Sequence, residues 1–248
     1  FYHLPIFSIF IVIILFLGIK EIPILVKGIN GQPFFPILLI FIAILQIDRH
    51  SSITWNIPEY HLLIGLTLAV MITEIFRKKQ SPLINISSLV FTFIWLGLML
   101  GSLTTLRNMP NIGFSITLSL FLSVWTCDTV AFWFGMKFGK SKILPKVSPK
   151  KTWVGSIAGL ASSLIFMMIL YKFNYFTYHV SYTDAFVLGL ITGVIGQLGD
   201  FAESLLKRGA NIKDTSNYLR GHGGVLDRFD SLTFAAPVTL IYCNYFII

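Results

Sequence analysis

Asp200, Glu203 and Lys207 fall at spacings of three and four, just after a long apolar run turns polar. On a helix that spacing places them on one face. Asp227 and Asp230 lie three apart and share a face by the same rule. Three carboxylates brought close, Asp200, Asp227 and Asp230, repel one another unless a cation joins them. Hard oxygen ligands with no Cys and few His favour magnesium over zinc. Lys207, Arg208, Lys213 and Arg228 add positive charge suited to phosphate oxygens. Between the acids, Gly221-His222-Gly223-Gly224 permits positive φ and close backbone approach. Amides in such a turn can aim at a phosphate. His222 can donate to a phosphate or simply hold the loop, and both readings stand. The bland alternative for the stretch is a solvated loop whose ion pairs contribute little. Acids recurring at helical spacing beside a glycine-rich turn favour metal and phosphate chemistry over it.

A second polar cluster runs from Trp125-Thr126-Cys127-Asp128 through Gly135 and Gly139-Lys140 to Ser148-Pro149-Lys150-Lys151-Thr152-Trp153. Asp128 sits inside an apolar run, about two turns from its end. A carboxylate there costs roughly 2.5 kcal/mol or more, which points to function, with an interhelical hydrogen bond as the alternative. Ser148 followed by Pro149 predicts the cap and first residue of the next helix. Lys150 and Lys151 would then occupy its first turn, against the helix dipole. They either flank the membrane or hold an anion where free amides already point.

The elements that must position these groups are apolar. Only 12% of the 248 residues are charged and 55% are hydrophobic, where soluble domains carry about 25% charged residues. The mean hydropathy is +0.77. The expected fold is all-α, a polytopic membrane bundle with eight spans at 4–19, 33–47, 57–76, 82–101, 112–135, 153–171, 183–199 and 229–248. No ~10-residue alternating segments of a transmembrane barrel occur. The region 1–111 reads as N-terminal transmembrane helices. The region 112–248 reads as a catalytic membrane region with loops 136–152 and 200–228, in one structural unit. Gly155, Gly159, Gly189, Gly193 and Gly196 predict close helix contacts. Cys127 and Cys243 predict buried thiols rather than a disulfide.

Of the 19 Lys and Arg, 16 fall in segments 20–32, 77–81, 136–152 and 200–228 or beside them, and 3 on the opposite side. That bias orients the basic side to the cytoplasm and places both polar clusters there. Phe1 then lies outside, and one further helix before it would return the N-terminus to the cytoplasm. The net charge of +8 suits anionic membrane lipids. The loops are too short to build a nucleic-acid face, so no nucleic-acid partner is expected.

Taken together, Ser204-x-Leu206-Lys207-Arg208, Lys213-Asp214-x-Ser216 and His222-Gly223-Gly224-Val225-x-Asp227-Arg228-Phe229-Asp230 resemble the signature of the phosphatidate cytidylyltransferase (CDP-diacylglycerol synthase) family. Trp125-x-x-Asp128, Phe138-Gly139-Lys140 and Ser148 to Trp153 with Gly155 are similar to its upstream elements. The resemblance is strong over 120–240 and weak before it. Val154 stands where the family usually has Glu, and Arg220 where Pro, Gly or Ser is expected.

The resemblance implies that CTP and phosphatidate give CDP-diacylglycerol and pyrophosphate at the inner membrane, on its cytoplasmic side. It implies magnesium, a second cation such as potassium, and a homodimer. It assigns the metal to Asp200, Asp227 and Asp230, with Glu203 beside them. Asp128, Lys207, Arg208, Lys213, Asp214, His222 and Arg228 fall in catalytic positions. Lys140, Ser148, Lys150, Lys151, Thr152, Gly223 and Gly224 fall in nucleotide-binding ones. A CTP-dependent polyprenol or phytol kinase and an ion-coupled transporter are the alternatives. A transporter would show inverted repeats and broken helices at mid-membrane, whereas these charges cluster at one face.

Overall fold

A computed structural model describes residues 6–28, 30–50, 57–176, 180–216 and 223–247. Ten α-helices follow one another among them: α1 (Ile6–Lys27), α2 (Phe35–His50), α3 (Glu59–Arg77), α4 (Pro82–Thr92), α5 (Ser102–Arg107), α6 (Gly113–Phe138), α7 (Trp153–Lys172), α8 (Tyr182–Leu190), α9 (Gln197–Gly209) and α10 (Leu226–Tyr242). π-helical turns at Phe93–Leu100 and Ile191–Gly196 join α4 to α5 and α8 to α9, and a third, Cys243–Ile247, follows α10. Among the described residues there is no strand beyond an isolated bridge between Lys142 and Thr152.

The all-α polytopic membrane architecture is as expected, and its helices run longer than the apolar patterns. Among the described residues, Ile6–Lys27, Glu59–Arg77, Pro82–Arg107, Gly113–Phe138, Trp153–Lys172 and Tyr182–Gly209 are long and apolar enough to cross a membrane. The remaining two of the eight expected spans correspond to α2 and α10, with 16 and 17 residues, short of the roughly 20 that cross hydrocarbon at no tilt. Segments read as loop ends are helical: α1 continues past Pro23 to Lys27, and α9 continues through Lys207 to Gly209.

The chain gathers into two compact units. The first comprises Phe1–Thr105 with Leu206–Arg228, the second Leu106–Leu205 with Phe229–Ile248. In the first unit α1 to α4 pack on one another, and the π turn Phe93–Leu100 lies against α1 and α2. Leu38, Leu66, Leu89, Phe93 and Leu96 are fully buried there. A π turn misaligns backbone carbonyls, and hydrocarbon offers no water to cover them. Arg49 on α2 covers two of them, donating to Gly97 O at 2.9 Å and Leu98 O at 3.3 Å. Its Nη2 also meets Glu59 Oε1 at 2.5 Å.

In the second unit α7 packs on α6 and α8. A Cβ on Gly155 would stand 2.6 Å from Ala131 O, and one on Gly189 would stand 2.9 Å from Leu164 Cα. Gly159 and Gly193 are similarly tight, so these four are the close contacts expected; Gly196, whose nearest neighbour is at 3.7 Å, is not. Gln197 joins α7 to α9, donating to Ser156 O at 3.1 Å and to Gly193 O at 2.6 Å. Such interhelical polar bonds are the adhesive available inside a bilayer. Helix α8 starts on a capping box: the Asp184 amide donates to Ser181 Oγ at 3.2 Å, and the Ser181 amide to Asp184 Oδ2 at 2.7 Å. Cys127 and Cys243 are free and buried, as expected.

Helix α7 corrects the expected start at Ser148-Pro149. Its cap is Thr152, whose Oγ1 accepts the Gly155 amide at 3.2 Å. Residues 141–143 and 151–153 run side by side instead, with Ile143 N donating to Lys151 O and Trp153 N to Ser141 O. That pairing holds 148–151 out of the helix, so Lys150 and Lys151 precede its first turn and do not oppose its dipole.

Candidate functional site

Each unit carries one polar cluster. In the second unit Asp230 lies within electrostatic reach of Asp200, Glu203 and Asp128, and Asp128 within reach of Asp200. Asp128 comes from α6, Asp200 and Glu203 from α9, Asp230 from α10. Lys151, just ahead of α7, pairs with Asp200 Oδ2 at 2.5 Å and lies 4.2 Å over the Phe201 ring. Asp230 Oδ1 accepts the Ser231 amide at 2.6 Å. Glu203 is fully buried. Asp128 is exposed, so it is not a packed interhelical hydrogen-bond strut. The close approach that brings α10 to α9 is visible at Gly199, where a Cβ would stand 2.5 Å from Asp230 O.

The donor set is all carboxylate oxygen, which suits a hard divalent cation. Among the described residues, however, no three His, Cys, Asp or Glu are gathered closely enough to hold a metal ion. The acids are neighbours in charge, not yet a cage in distance.

In the first unit the cluster is closed on itself. Lys207 of α9 and Asp227 of α10 form an ion pair with side chains only 10% and 12% exposed. Asp227 Oδ2 accepts the Gly224 amide at 2.7 Å and Thr215 Oγ1 at 3.1 Å. Burial alone would push the Asp227 carboxyl up; Lys207 and the Gly224 and Thr215 amides outweigh it and hold it below the usual carboxylate range. Gly223 has φ +79°, and a Cβ there would stand 2.8 Å from Asp227 Oδ2. The glycines thus serve close approach to Asp227.

Among the other candidates, Arg208 is exposed and donates to Ile212 O at 3.2 Å. Lys213, Asp214 and Arg228 are exposed in the same unit. Lys140 and Lys150 are exposed and Ser148 half-buried in the second. Thr152 is buried as the α7 cap. His222, Gly221 and Arg220 lie outside the described residues.

The chain matches the Cytidylyltransferase family over residues 1–246. This chain belongs to the cytidylyltransferase family. The chain is 38% identical over 183 residues to the phosphatidate cytidylyltransferase of Haemophilus influenzae, covering 70% of this chain and 62% of that one. It is 32% identical over 182 residues to that of Bacillus subtilis, covering 73% and 65%. It is 31% identical over 238 residues to that of Staphylococcus saprophyticus, covering 94% and 88%. The matched stretch therefore spans less than two thirds of the first two relatives' length.

One buried acid of this chain does not stand out in the sequence. Glu21, on α1, is fully buried in the first unit. It accepts four hydrogen bonds from residues 215, 216, 225 and 226. A lone acid next to Lys20 inside an apolar helix was the available signal.

Proposed function

We propose that this chain transfers the cytidylyl group of CTP to phosphatidate, giving CDP-diacylglycerol and pyrophosphate. The observation that carries the reading is the family match over residues 1–246; Asp128, Asp200, Glu203 and Asp230, neighbours in charge though not at ligand distances, and Lys151 paired with Asp200 support it. Repulsion among such acids is relieved by cations, of which Lys151 is one and a divalent ion would be another. A phosphomonoester is largely ionised near neutrality. It needs no general base, and the absence of a Ser-His-Asp pattern from the signature is no obstacle.

In the proposed step a lipid phosphate oxygen attacks the α-phosphorus of CTP. A new P–O bond forms as the bond from the α-phosphorus to the bridging oxygen breaks, and the electron pair leaves with pyrophosphate. Magnesium, when bound, would supply charge neutralisation for the triphosphate and its leaving group. Asp200, Glu203 and Asp230 are the oxygen donors that would hold it; the role given to Asp227 rests on the resemblance. Alignment and charge carry such transfers. Lys151, beside Asp200, and the exposed Lys140 and Lys150 would offer charge to phosphate oxygens in the second unit. A cytoplasmic-facing site, a homodimer and a second cation such as potassium belong to the same proposal.

The test is purified chain in lipid nanodiscs with magnesium, phosphatidate and CTP labelled at the α-phosphate. Label moving into lipid, with stoichiometric pyrophosphate, supports the reading. Release of labelled CDP with a phosphorylated polyprenol would replace it by the kinase.

A further inference from the structure

We propose that Glu21 is the positioning residue of the α9–α10 connection, fixing from α1 the segment that carries Asp227. Its carboxylate is shared symmetrically. Oε1 accepts from Ser216 Oγ at 2.6 Å and the Val225 amide at 2.7 Å. Oε2 accepts from Thr215 Oγ1 at 2.8 Å and the Leu226 amide at 3.0 Å. Each oxygen thus takes one hydroxyl and one backbone amide. The amides of Val225 and Leu226 open α10, so a side chain just over two hundred positions upstream satisfies the start of that helix.

The surroundings are shaped to this carboxylate. Gly224 is buried against it: a Cβ there would stand 2.0 Å from Thr215 Oγ1 and 2.4 Å from Glu21 Oε2. Gly18, one turn earlier on α1, lets Leu226 approach, with its Cδ2 2.9 Å from where a Cβ would be. Thr215 Oγ1 also reaches Asp227 Oδ2 at 3.1 Å. The single Thr215 hydroxyl proton thus has two acceptors in reach, Glu21 at 2.8 Å and Asp227 at 3.1 Å, and favours the nearer Glu21. A full set of acceptors for four donors in a buried place explains why an acid is kept there.

The chemistry separates Glu from its near-isostere. A glutamine keeps one oxygen and turns the other into an amino group facing a backbone N–H, which cannot reverse its role. Aspartate keeps both oxygens on a shorter arm.

The inference rests on the proposed transferase reading for its rate readout only. The experiment compares wild type, Glu21→Gln, Glu21→Asp and the milder Ser216→Ala, all as full chains in nanodiscs. Hydrogen exchange at the Val225 and Leu226 amides is measured beside CDP-diacylglycerol formation. Glu21→Gln is expected to speed exchange at those amides about tenfold or more, as loss of a charge-assisted hydrogen bond would. It should lower kcat about 10²-fold, the effect of a 1 Å misplacement, with KM for CTP changed much less. Glu21→Asp should recover part of both, and Ser216→Ala should show a smaller effect in the same direction. Unchanged exchange in Glu21→Gln overturns the inference. So does loss of the folded chain in Glu21→Gln combined with wild-type exchange and rate in Ser216→Ala. If wild type forms no CDP-diacylglycerol, the transferase reading fails while the exchange result still decides the role of Glu21.

Discussion

The two polar clusters differ in how their charge is balanced. In the first unit Asp227 meets Lys207, and its second oxygen takes an amide and a hydroxyl; Glu21 takes four donors. In the second unit Asp230 stands in the field of three further acids, Asp128, Asp200 and Glu203, with Lys151 paired to Asp200. A balanced cluster holds the chain together. On the proposed reading, the cluster of like charges is the one that receives a cation. The contrast shows that motif residues three apart in sequence, such as Asp227 and Asp230, can sit in differently balanced clusters.

The sharpest way to break the comparison is to neutralise one acid in each cluster. Asp230→Asn should lose about 10²-fold or more in CDP-diacylglycerol formation, as for loss of a group that meets developing charge. Its melting temperature should hold or rise, because like-charge repulsion is relieved. An Asp230→Asn chain that melts lower yet keeps full activity would invert the assignment. Lys207→Met should do the reverse to stability. It leaves Asp227 without its ammonium partner and should cost about 3 kcal/mol by denaturant unfolding in detergent. The Lys207→Met, Asp227→Asn pair should regain part of that loss.

Magnesium sharpens the same contrast. At a hundredfold excess over Kd it should stabilise the wild type by about 2.7 kcal/mol. The shift should vanish in Asp230→Asn and survive Ser216→Ala. Thermal melts with and without a chelator read it directly. Acid separates the clusters too. Asp227 is held below its ordinary range, so its contribution is present above about pH 4 and fades as the pH falls through the lowered value. Asp227→Asn should flatten that part of the acid-unfolding curve. The smallest effect belongs to Thr152→Ala, which removes the α7 cap and should cost about 1 kcal/mol.

Most of the fold was legible because it depends on local apolar runs. Each of the eight expected spans corresponds to a helix, with ends that move by up to ten residues. The ends moved where polar residues continue a helix on one face, as in α9 from Gln197 to Gly209. The cap of α7 was misplaced because Ser148-Pro149 is a good local signal, whereas Thr152 wins through the pairing of 141–143 with 151–153. In the candidate site, the spacing of Asp200 and Glu203 announced a shared face of a helix. That Lys151 meets Asp200 was not readable, since 49 residues separate them and no local period links them. Glu21 was hidden for the same reason: its partners lie 194 to 205 positions away.

The wide turns inside two of the spans have a consequence for length. Each π turn accommodates a residue more than the α turn it replaces. Phe93–Leu100 and Ile191–Gly196 are therefore places with slack. Deleting a single residue inside Phe93–Leu100 should let the turn tighten to ordinary α, aligning the carbonyls that Arg49 now covers. The same deletion in Pro82–Thr92 would swing every later side chain of that span by about 100°. Natural insertions and deletions within these spans should accumulate at the two wide turns and be purged elsewhere.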